Sequence, residues 1–103
     1  MTQRTAFVLR VRPDKIDEYV DAHANVWPEM RQALHDSGIR NYSIFKAGNQ
    51  VFGYFESDDL QRTAAYLDTQ EVNTRWQDAM AVLLEERVPD AGPPPLQEIF
   101  RLD

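Results

Sequence analysis

The chain has 103 residues, 43% of them hydrophobic, with 11 basic and 17 acidic side chains for a formal net charge of −6. That length and apolar content suit a single soluble domain with its own core, and the acidic balance argues against nucleic acid or an anionic membrane as the main partner. Cysteine is absent, which excludes disulfides and thiol catalysis. Because no signal peptide or membrane-spanning stretch is recognisable, we expect a cytoplasmic protein with a small or neutral partner.

The first half of the chain predicts one strand followed by a helix in two pieces. Alternating apolar residues mark residues 5–12 as the strand, and Pro13 suits the first turn of a helix. The helix carries an apolar stripe, at spacings of three and four, that also holds a histidine: Ile16, Tyr19, Val20, His23 and Trp27. Pro28 interrupts or restarts this helix, which then runs to Gly38, a suitable left-handed C-terminal cap.

The second half predicts a hairpin and two further helical segments. Residues 39–46 and 50–56 are strand-like and are joined by a short loop, so they should pair antiparallel. Asp59 and its polar neighbours offer caps for one helix, and Thr69 can cap the next. The buried face of that second segment should consist of Val72, Trp76, Ala79, Met80 and Leu83.

The chain ends in a proline-rich loop at residues 88–95 and an apolar run at residues 96–102, which we interpret as a final strand. The resulting order, β-α-β-β-α-β, predicts an α+β fold of the ferredoxin-like kind, in which an antiparallel four-stranded sheet carries both helical layers on one face. Because these strands have apolar residues on both faces, the other face needs a cover. We therefore expect a homodimer.

Few side chains suit catalysis. The sequence has no glycine-rich phosphate loop, no histidines or carboxylates spaced for a metal, and no serine elbow. His35 should lie at the end of a helix, where a solvated partner of the helix dipole is the simpler interpretation. His23 instead shares an apolar stripe with Tyr19 at i, i+4, so the two side chains can converge on one ligand. The alternative is a core histidine bonded to a backbone carbonyl.

Three other residues are candidates on weaker grounds. Trp76 has the spacing of a core residue, although its flat face also suits the apolar side of a sugar. Tyr42 would need a partner for its hydroxyl if buried, and a ligand can provide one. Glu98 lies in phase with apolar neighbours, an unusual setting for a carboxylate unless it is paired or faces a pocket.

Short motifs along nearly the whole chain resemble the L-rhamnose mutarotase family in order and spacing. They are Ala6-Phe7-Val8, Pro13-Asp14, Glu18-Tyr19, His23, Trp27-Pro28-Glu29, Asn41-Tyr42, Arg75-Trp76 and Leu96-Gln97-Glu98. The resemblance implies a dimeric ferredoxin-like α/β barrel, formed here by one mutarotase-type domain over residues 1–103. It also implies an isomerase that interconverts the α and β pyranose anomers of L-rhamnose or a related 6-deoxy sugar without a cofactor or metal.

The resemblance also implies roles for individual residues. His23 would be the proton donor, while Tyr19, Tyr42 and Trp76 would contact the sugar. Histidine suits this work because its ordinary pKa, about 6.5, lets it exchange protons near neutral pH. The family commonly has a second tryptophan after the one matched by Trp76, and this chain has Gln77. An amide there should bind the sugar differently, which leaves the choice between L-rhamnose, L-fucose and other aldoses open.

Two other classes of function fit parts of the pattern. A cofactor-free or haem-degrading monooxygenase of the same barrel fold can also use a tryptophan and a histidine, although this hypothesis rests on fold analogy alone. A non-catalytic dimeric sugar-binding module would keep the pocket and make His23 structural. Oxygen consumption would identify a monooxygenase. Sugar binding without faster anomer exchange would identify a binding module.

Overall fold

The computed structural model describes residues 1–102 and has an α+β fold. In this part of the chain three strands and four α-helices follow one another. Their bounds are β1 (Gln3–Arg10), α1 (Ile16–Ala24), α2 (Pro28–Asp36), β2 (Arg40–Ala47), β3 (Gln50–Ser57), α3 (Leu60–Asp68) and α4 (Glu71–Ala81). The predicted strand at residues 5–12 therefore begins and ends two residues earlier, and the predicted hairpin is confirmed.

Prolines and a polar cap set the helix limits, largely as predicted. Pro13 opens a short 3₁₀ turn before α1, and Pro28 occupies the first turn of α2 after a break in the helix. The Asp59 side chain caps α3 by accepting a hydrogen bond from the Arg62 N–H at 3.1 Å. The prediction that Thr69 caps α4 is wrong, because its hydroxyl donates back to the Tyr66 carbonyl at 2.7 Å and closes α3 instead.

The sheet has the order β1-β3-β2, and both neighbouring pairs are antiparallel. Phe7 on β1 lies opposite Gly53 on β3, and a Cβ at Gly53 would overlap the Phe7 ring. The absence of a side chain at Gly53 thus lets the Phe7 ring lie across the centre of the sheet.

The structure forms three strands and not the predicted four, because residues 96–102 contain no strand. The segment does lie beside β1, because the Leu96 N–H donates to the Ala6 carbonyl at 2.7 Å and Arg4 pairs with Glu98 at 2.7 Å. No ladder follows these contacts. The apolar side chains that would hold a strand there are uncovered, with Ile99 92% and Phe100 77% exposed.

The helices cover one face of the sheet, where the core lies. Val11, Val51 and Leu84 are almost fully buried in a cluster that also contains Tyr19 from α1 and Trp76 from α4. Burying each large aliphatic side chain contributes about 1.5–3 kcal/mol to the free energy of unfolding. The core therefore anchors the two helices that carry the candidate site residues.

The opposite face of the sheet carries a row of exposed apolar side chains. Val8, Phe52 and Phe45 are neighbours across β1, β3 and β2, and Phe45 is 66% exposed. We call these three residues the outer patch.

Candidate active site

An open cavity of about 800 Å³ lies between the helices and the helix-covered face of the sheet, with a smaller pocket of about 60 Å³ beside it. The two share several walls, so they form one site. The shared walls are Phe7, His23, Tyr42, Ile44, Trp76, Gln77 and Pro93. Four of the five predicted site residues line both spaces, and the fifth, Tyr19, lines the smaller pocket.

The geometry of α1 determines which ring nitrogen of His23 is available. Nδ1 lies 2.9 Å from the Tyr19 carbonyl oxygen, one turn earlier on the same helix. A carbonyl oxygen can only accept a hydrogen bond, so Nδ1 must carry a proton and donate it. In the neutral ring Nε2 is then the unprotonated nitrogen. The His23 ring thus bonds a backbone carbonyl and also lines the cavity.

Aromatic rings surround the His23 imidazole. The Tyr19 ring centroid lies 4.3 Å away at a tilt of 32°, and the Trp76 ring lies 5.5 Å away nearly edge-on. Burial among these rings lowers the pKa of His23 below its ordinary value, while the hydrogen bond to Tyr19 acts weakly in the opposite direction. The imidazole is therefore predominantly neutral at neutral pH.

The pKa values of two tyrosine hydroxyls shift in the opposite direction. Burial raises the pKa of Tyr19 to about 12. Burial also raises the pKa of Tyr42 above its usual range, with a smaller contribution from Tyr19. Tyr42 is 37% exposed over the whole residue, and it lines the smaller pocket together with Tyr19. Both hydroxyls keep their protons at neutral pH, and within residues 1–102 neither makes a hydrogen bond to the protein.

A β-bulge directs Tyr42 into the site. The register between β2 and β3 shifts between Arg40 and Ser43, and Asn41 within this irregularity has a positive φ of 53°. Its side chain donates to a Glu56 carboxylate oxygen at 2.8 Å, which holds the distortion in place. Bulges of this kind re-aim side chains, and asparagine tolerates the left-handed conformation better than most residues.

Trp76 belongs to both the core and the site. Only 7% of the residue is exposed, and its ring meets Trp27 edge-on at a centroid distance of 5.1 Å. The guanidinium of Arg75 lies over the other tryptophan, Trp27, at 5.9 Å from the ring centroid. Trp76 therefore packs between His23 and Trp27 and also lines the cavity.

The sequence reasoning missed a polar network on α4. Asn73 is 1% exposed and joins Gln77 to the loop that follows the helix. Asp90 in that loop accepts from the Thr74 hydroxyl at 2.6 Å and pairs with Arg87 at 3.0 Å. The loop thereby becomes a wall of the cavity. The available signal was Asn73 itself, one turn before Gln77 and in phase with the apolar stripe.

Two other candidates lie outside the smaller pocket around Tyr19 and His23. Glu98 pairs with Arg4 and lines neither cavity. His35 lies in the last turn of α2 with its side chain 85% exposed, as expected for a solvated helix terminus, and it lines the larger cavity. Among residues 1–102, no three His, Asp or Glu side chains are grouped to hold a metal ion, and no helix is long and apolar enough to cross a membrane.

Comparisons of sequence and structure relate the chain to known proteins. The family model for L-rhamnose mutarotase matches residues 4–102. The chain is 36% identical to the L-rhamnose mutarotase of Oceanobacillus iheyensis, over 98% of this chain and 99% of that protein. It is 37% identical to the L-rhamnose mutarotase of Bacillus subtilis, with the same coverage. A crystal structure of an L-rhamnose mutarotase from Formosa agariphila superposes with a TM-score of 0.76 at 31% identity, over 98% and 99% of the two chains. The chain belongs to the L-rhamnose mutarotase family.

Proposed function

We propose that the protein is an aldose mutarotase that interconverts the α and β pyranose anomers of L-rhamnose or a related 6-deoxy sugar. Family membership supports the reaction class, an isomerisation. The observation that carries the mechanism is the His23 ring, whose Nδ1 is committed to the Tyr19 carbonyl and whose Nε2 is left for the cavity. A neutral imidazole beside two protonated phenols can both remove and deliver protons.

The chemistry requires only proton transfer. Nε2 of His23 takes the proton of the anomeric hydroxyl, the bond between C1 and the ring oxygen breaks, and the ring oxygen gains a proton. The open-chain aldehyde then turns about its C1–C2 bond. Attack by the former ring oxygen on the other face of the carbonyl, with both proton transfers reversed, gives the second anomer.

The proton for the ring oxygen has two sources in the site. The imidazolium formed in the first transfer can donate from Nε2, which agrees with the donor role that the family resemblance implies. A Tyr19 or Tyr42 hydroxyl can donate as well, since raised pKa values keep both protonated. Trp76 and Phe7 supply apolar walls against which the methyl-bearing side of a 6-deoxy sugar can pack. These walls would restrict the orientation of the sugar relative to His23.

We also propose that a second copy of the chain covers the outer patch, giving a dimeric barrel. Exposed Phe45 and Phe52 on the sheet, together with Ile99, Phe100 and Leu102 beyond the loop, support this assembly because monomers rarely leave so much apolar surface uncovered. In the dimer, residues 96–102 would complete a fourth strand beside β1. Residues 1–103 would then act as one mutarotase-type domain per subunit, and we place the protein in the cytoplasm.

Exchange NMR on L-rhamnose tests the proposed reaction. We expect the wild-type protein to accelerate exchange between the two anomeric C1 protons, and His23→Ala to lower that acceleration by about a hundredfold or more, since it removes the general base. The comparison variant is His35→Ala, which removes an exposed imidazole that lines the larger cavity but not the smaller pocket around Tyr19 and His23, so it should lower the exchange rate far less than His23→Ala. Sugar binding without accelerated exchange would instead support a binding module, and equal rates for wild type and His23→Ala would exclude this mechanism.

A further inference from the structure

Gln77 lines both parts of the cavity. Whether its amide offers the sugar an oxygen or an N–H group depends on how the amide is turned. That choice follows from the partners of Asn73, one helical turn earlier.

The orientation of Asn73 is determined by two acceptors. Its Nδ2 lies 3.1 Å from the Leu67 carbonyl oxygen and 2.8 Å from the Asp90 carbonyl oxygen. Neither carbonyl can donate, so the amide nitrogen of Asn73 must face both of them. Turning the amide over would place Oδ1 against two oxygens in a site that is 1% exposed, at the cost of two buried hydrogen bonds.

The orientation of Asn73 then dictates that of Gln77. Asn73 Oδ1 points toward Gln77 and accepts a hydrogen bond from its Nε2 at 3.1 Å. The opposite orientation would bring two amide oxygens together. Oε1 of Gln77 is therefore the atom left over, and within residues 1–102 it has no hydrogen-bond partner.

We propose that Gln77 selects the sugar by accepting a hydrogen bond at Oε1 from one substrate hydroxyl, and that Asn73 is the positioning residue that holds the amide in this orientation. This inference rests on the proposed mutarotase function. A tryptophan at this position would offer a surface for stacking, whereas the Oε1 acceptor distinguishes a sugar with a hydroxyl at one carbon from a sugar without it.

The test measures exchange kinetics on L-rhamnose and on its 2-deoxy, 3-deoxy and 4-deoxy analogues. We expect wild type to prefer L-rhamnose over one analogue by about fivefold to tenfold beyond the others in kcat/KM, the usual size of one neutral hydrogen bond. Gln77→Met, of similar length but without an amide, should abolish that preference. Gln77→Glu keeps an acceptor oxygen but loses the N–H that donates to Asn73 Oδ1, so it should retain the preference only in part. The effect should appear in KM, because the bond involves no reacting atom.

Two further variants separate positioning from loop anchoring. Asn73→Ala should weaken the preference, because the Gln77 amide can then turn over, and it should add nothing in the Gln77→Met background. Thr74→Val removes the hydrogen bond between the Thr74 hydroxyl on α4 and the Asp90 carboxylate in the loop. The Asn73–Gln77 hydrogen bond stays intact, so this variant should keep the preference. If Asn73→Ala does not fold, the comparison of Gln77→Met with Gln77→Glu decides.

The inference is overturned if no analogue is discriminated by wild type, if Gln77→Met keeps the preference, or if Thr74→Val loses it as fully as Asn73→Ala. Failure of the proposed function gives a different result: the wild-type protein would not accelerate anomer exchange of L-rhamnose at all.

Discussion

Burial lowers the pKa of His23 and the hydrogen bond to Tyr19 raises it, and burial has the larger effect. The pKa of the ring is lowered, so the neutral form with a free Nε2 persists below the ordinary histidine range. If this form starts the reaction, activity should be constant near neutral pH and fall only when the pH drops through the lowered pKa. We expect kcat/KM for L-rhamnose to have an acid limb with its midpoint below pH 6.5, measured by exchange NMR from about pH 4.5 to 8.

The same shift affects stability. Between the lowered pKa of the folded state and about 6.5 in the unfolded chain, the unfolded state binds a proton that folded His23 does not. His23 should therefore leave the free energy of unfolding unaffected above about pH 6.5 and reduce it as the pH falls below that value. His23→Gln removes the titrating group. As the pH is lowered from 7.5 to 5.5, the free energy of unfolding of this variant in urea should therefore rise relative to that of wild type.

His35→Gln is the control for both experiments, because it removes the other histidine of the chain, whose side chain is 85% exposed. The acid limb of kcat/KM in this variant should have the same midpoint as in wild type. An acid limb centred above pH 6.5, or a His23→Gln variant that loses as much stability as wild type on acidification, would contradict the account of His23 given above.

At this scale the sequence predicts which residues meet but not how they are oriented. Tyr19 and His23 are one turn apart, and helix geometry alone places them on the same face. The tautomer of His23 also comes from a local contact, yet the sequence left open whether that contact was made. Gln77 differs, because its orientation depends through Asn73 on the carbonyl of Asp90, which lies 17 residues further along the chain. No local pattern encodes such a contact.

The elements of the fold transmit changes in the sheet to the cavity. Gly53 on β3 has the Phe7 ring where a side chain would be, and Phe7 is a wall of the cavity on its other side. Gly53→Ala should force the ring to move, costing about 1–3 kcal/mol of stability. Because Phe7 lines the cavity, a displaced ring would change the shape of the sugar site, so the variant should also raise KM for the sugar.

A second substitution tests this cause. In a Phe7→Leu background the smaller side chain leaves room for the new methyl group, so Gly53→Ala should cost much less stability there than in wild type. Urea unfolding of the four proteins gives the coupling energy between the two sites. A coupling near zero would mean that Gly53 matters for the backbone of β3 and not for the position of Phe7.

Elements with strong local signals were predictable, and those that depend on distant partners were not. The prolines at 13 and 28, the Asp59 cap and the hairpin all behave as their neighbours in sequence indicate. The bulge at Asn41 has no such signal, since its partner Glu56 belongs to another strand. The apolar run at residues 96–102 has the composition of a strand, but composition cannot supply the surface against which a strand must pack.

At the scale of the whole molecule, the uncovered apolar surface is in two places that a second copy could cover together. Phe52 is at the centre of the outer patch, with Val8 and Phe45 beside it in register on either strand. A stable dimer needs about 800 Å² of buried surface from each partner. Residues 99–102 follow the segment that contacts the edge strand β1, and their apolar side chains are exposed. Burying these side chains together with the outer patch would enlarge the interface. It would also give residues 96–102 the packing surface that a strand requires.

The dimer should therefore dissociate when a charge is placed at its centre. We expect wild type to sediment as a dimer at about 10–100 μM, and Phe52→Glu to sediment as a folded monomer, because the carboxylate would be buried without a partner in the dimer but solvated in the monomer. Val82→Glu is the matched control. Val82 is 68% exposed and follows α4, an element that packs on the other face of the sheet, so its variant should remain a dimer.

Hydrogen exchange in the same proteins tests whether the fourth strand forms on dimerisation. In the wild-type dimer the amides of residues 96–102 should exchange slowly, because the strand would be hydrogen-bonded along β1. In Phe52→Glu they should exchange rapidly apart from Leu96, whose N–H already bonds to Ala6 within one chain. Equal protection in dimer and monomer would show that the strand needs no partner. If the wild-type protein sediments as a monomer, the proposal that a second copy covers the outer patch is wrong.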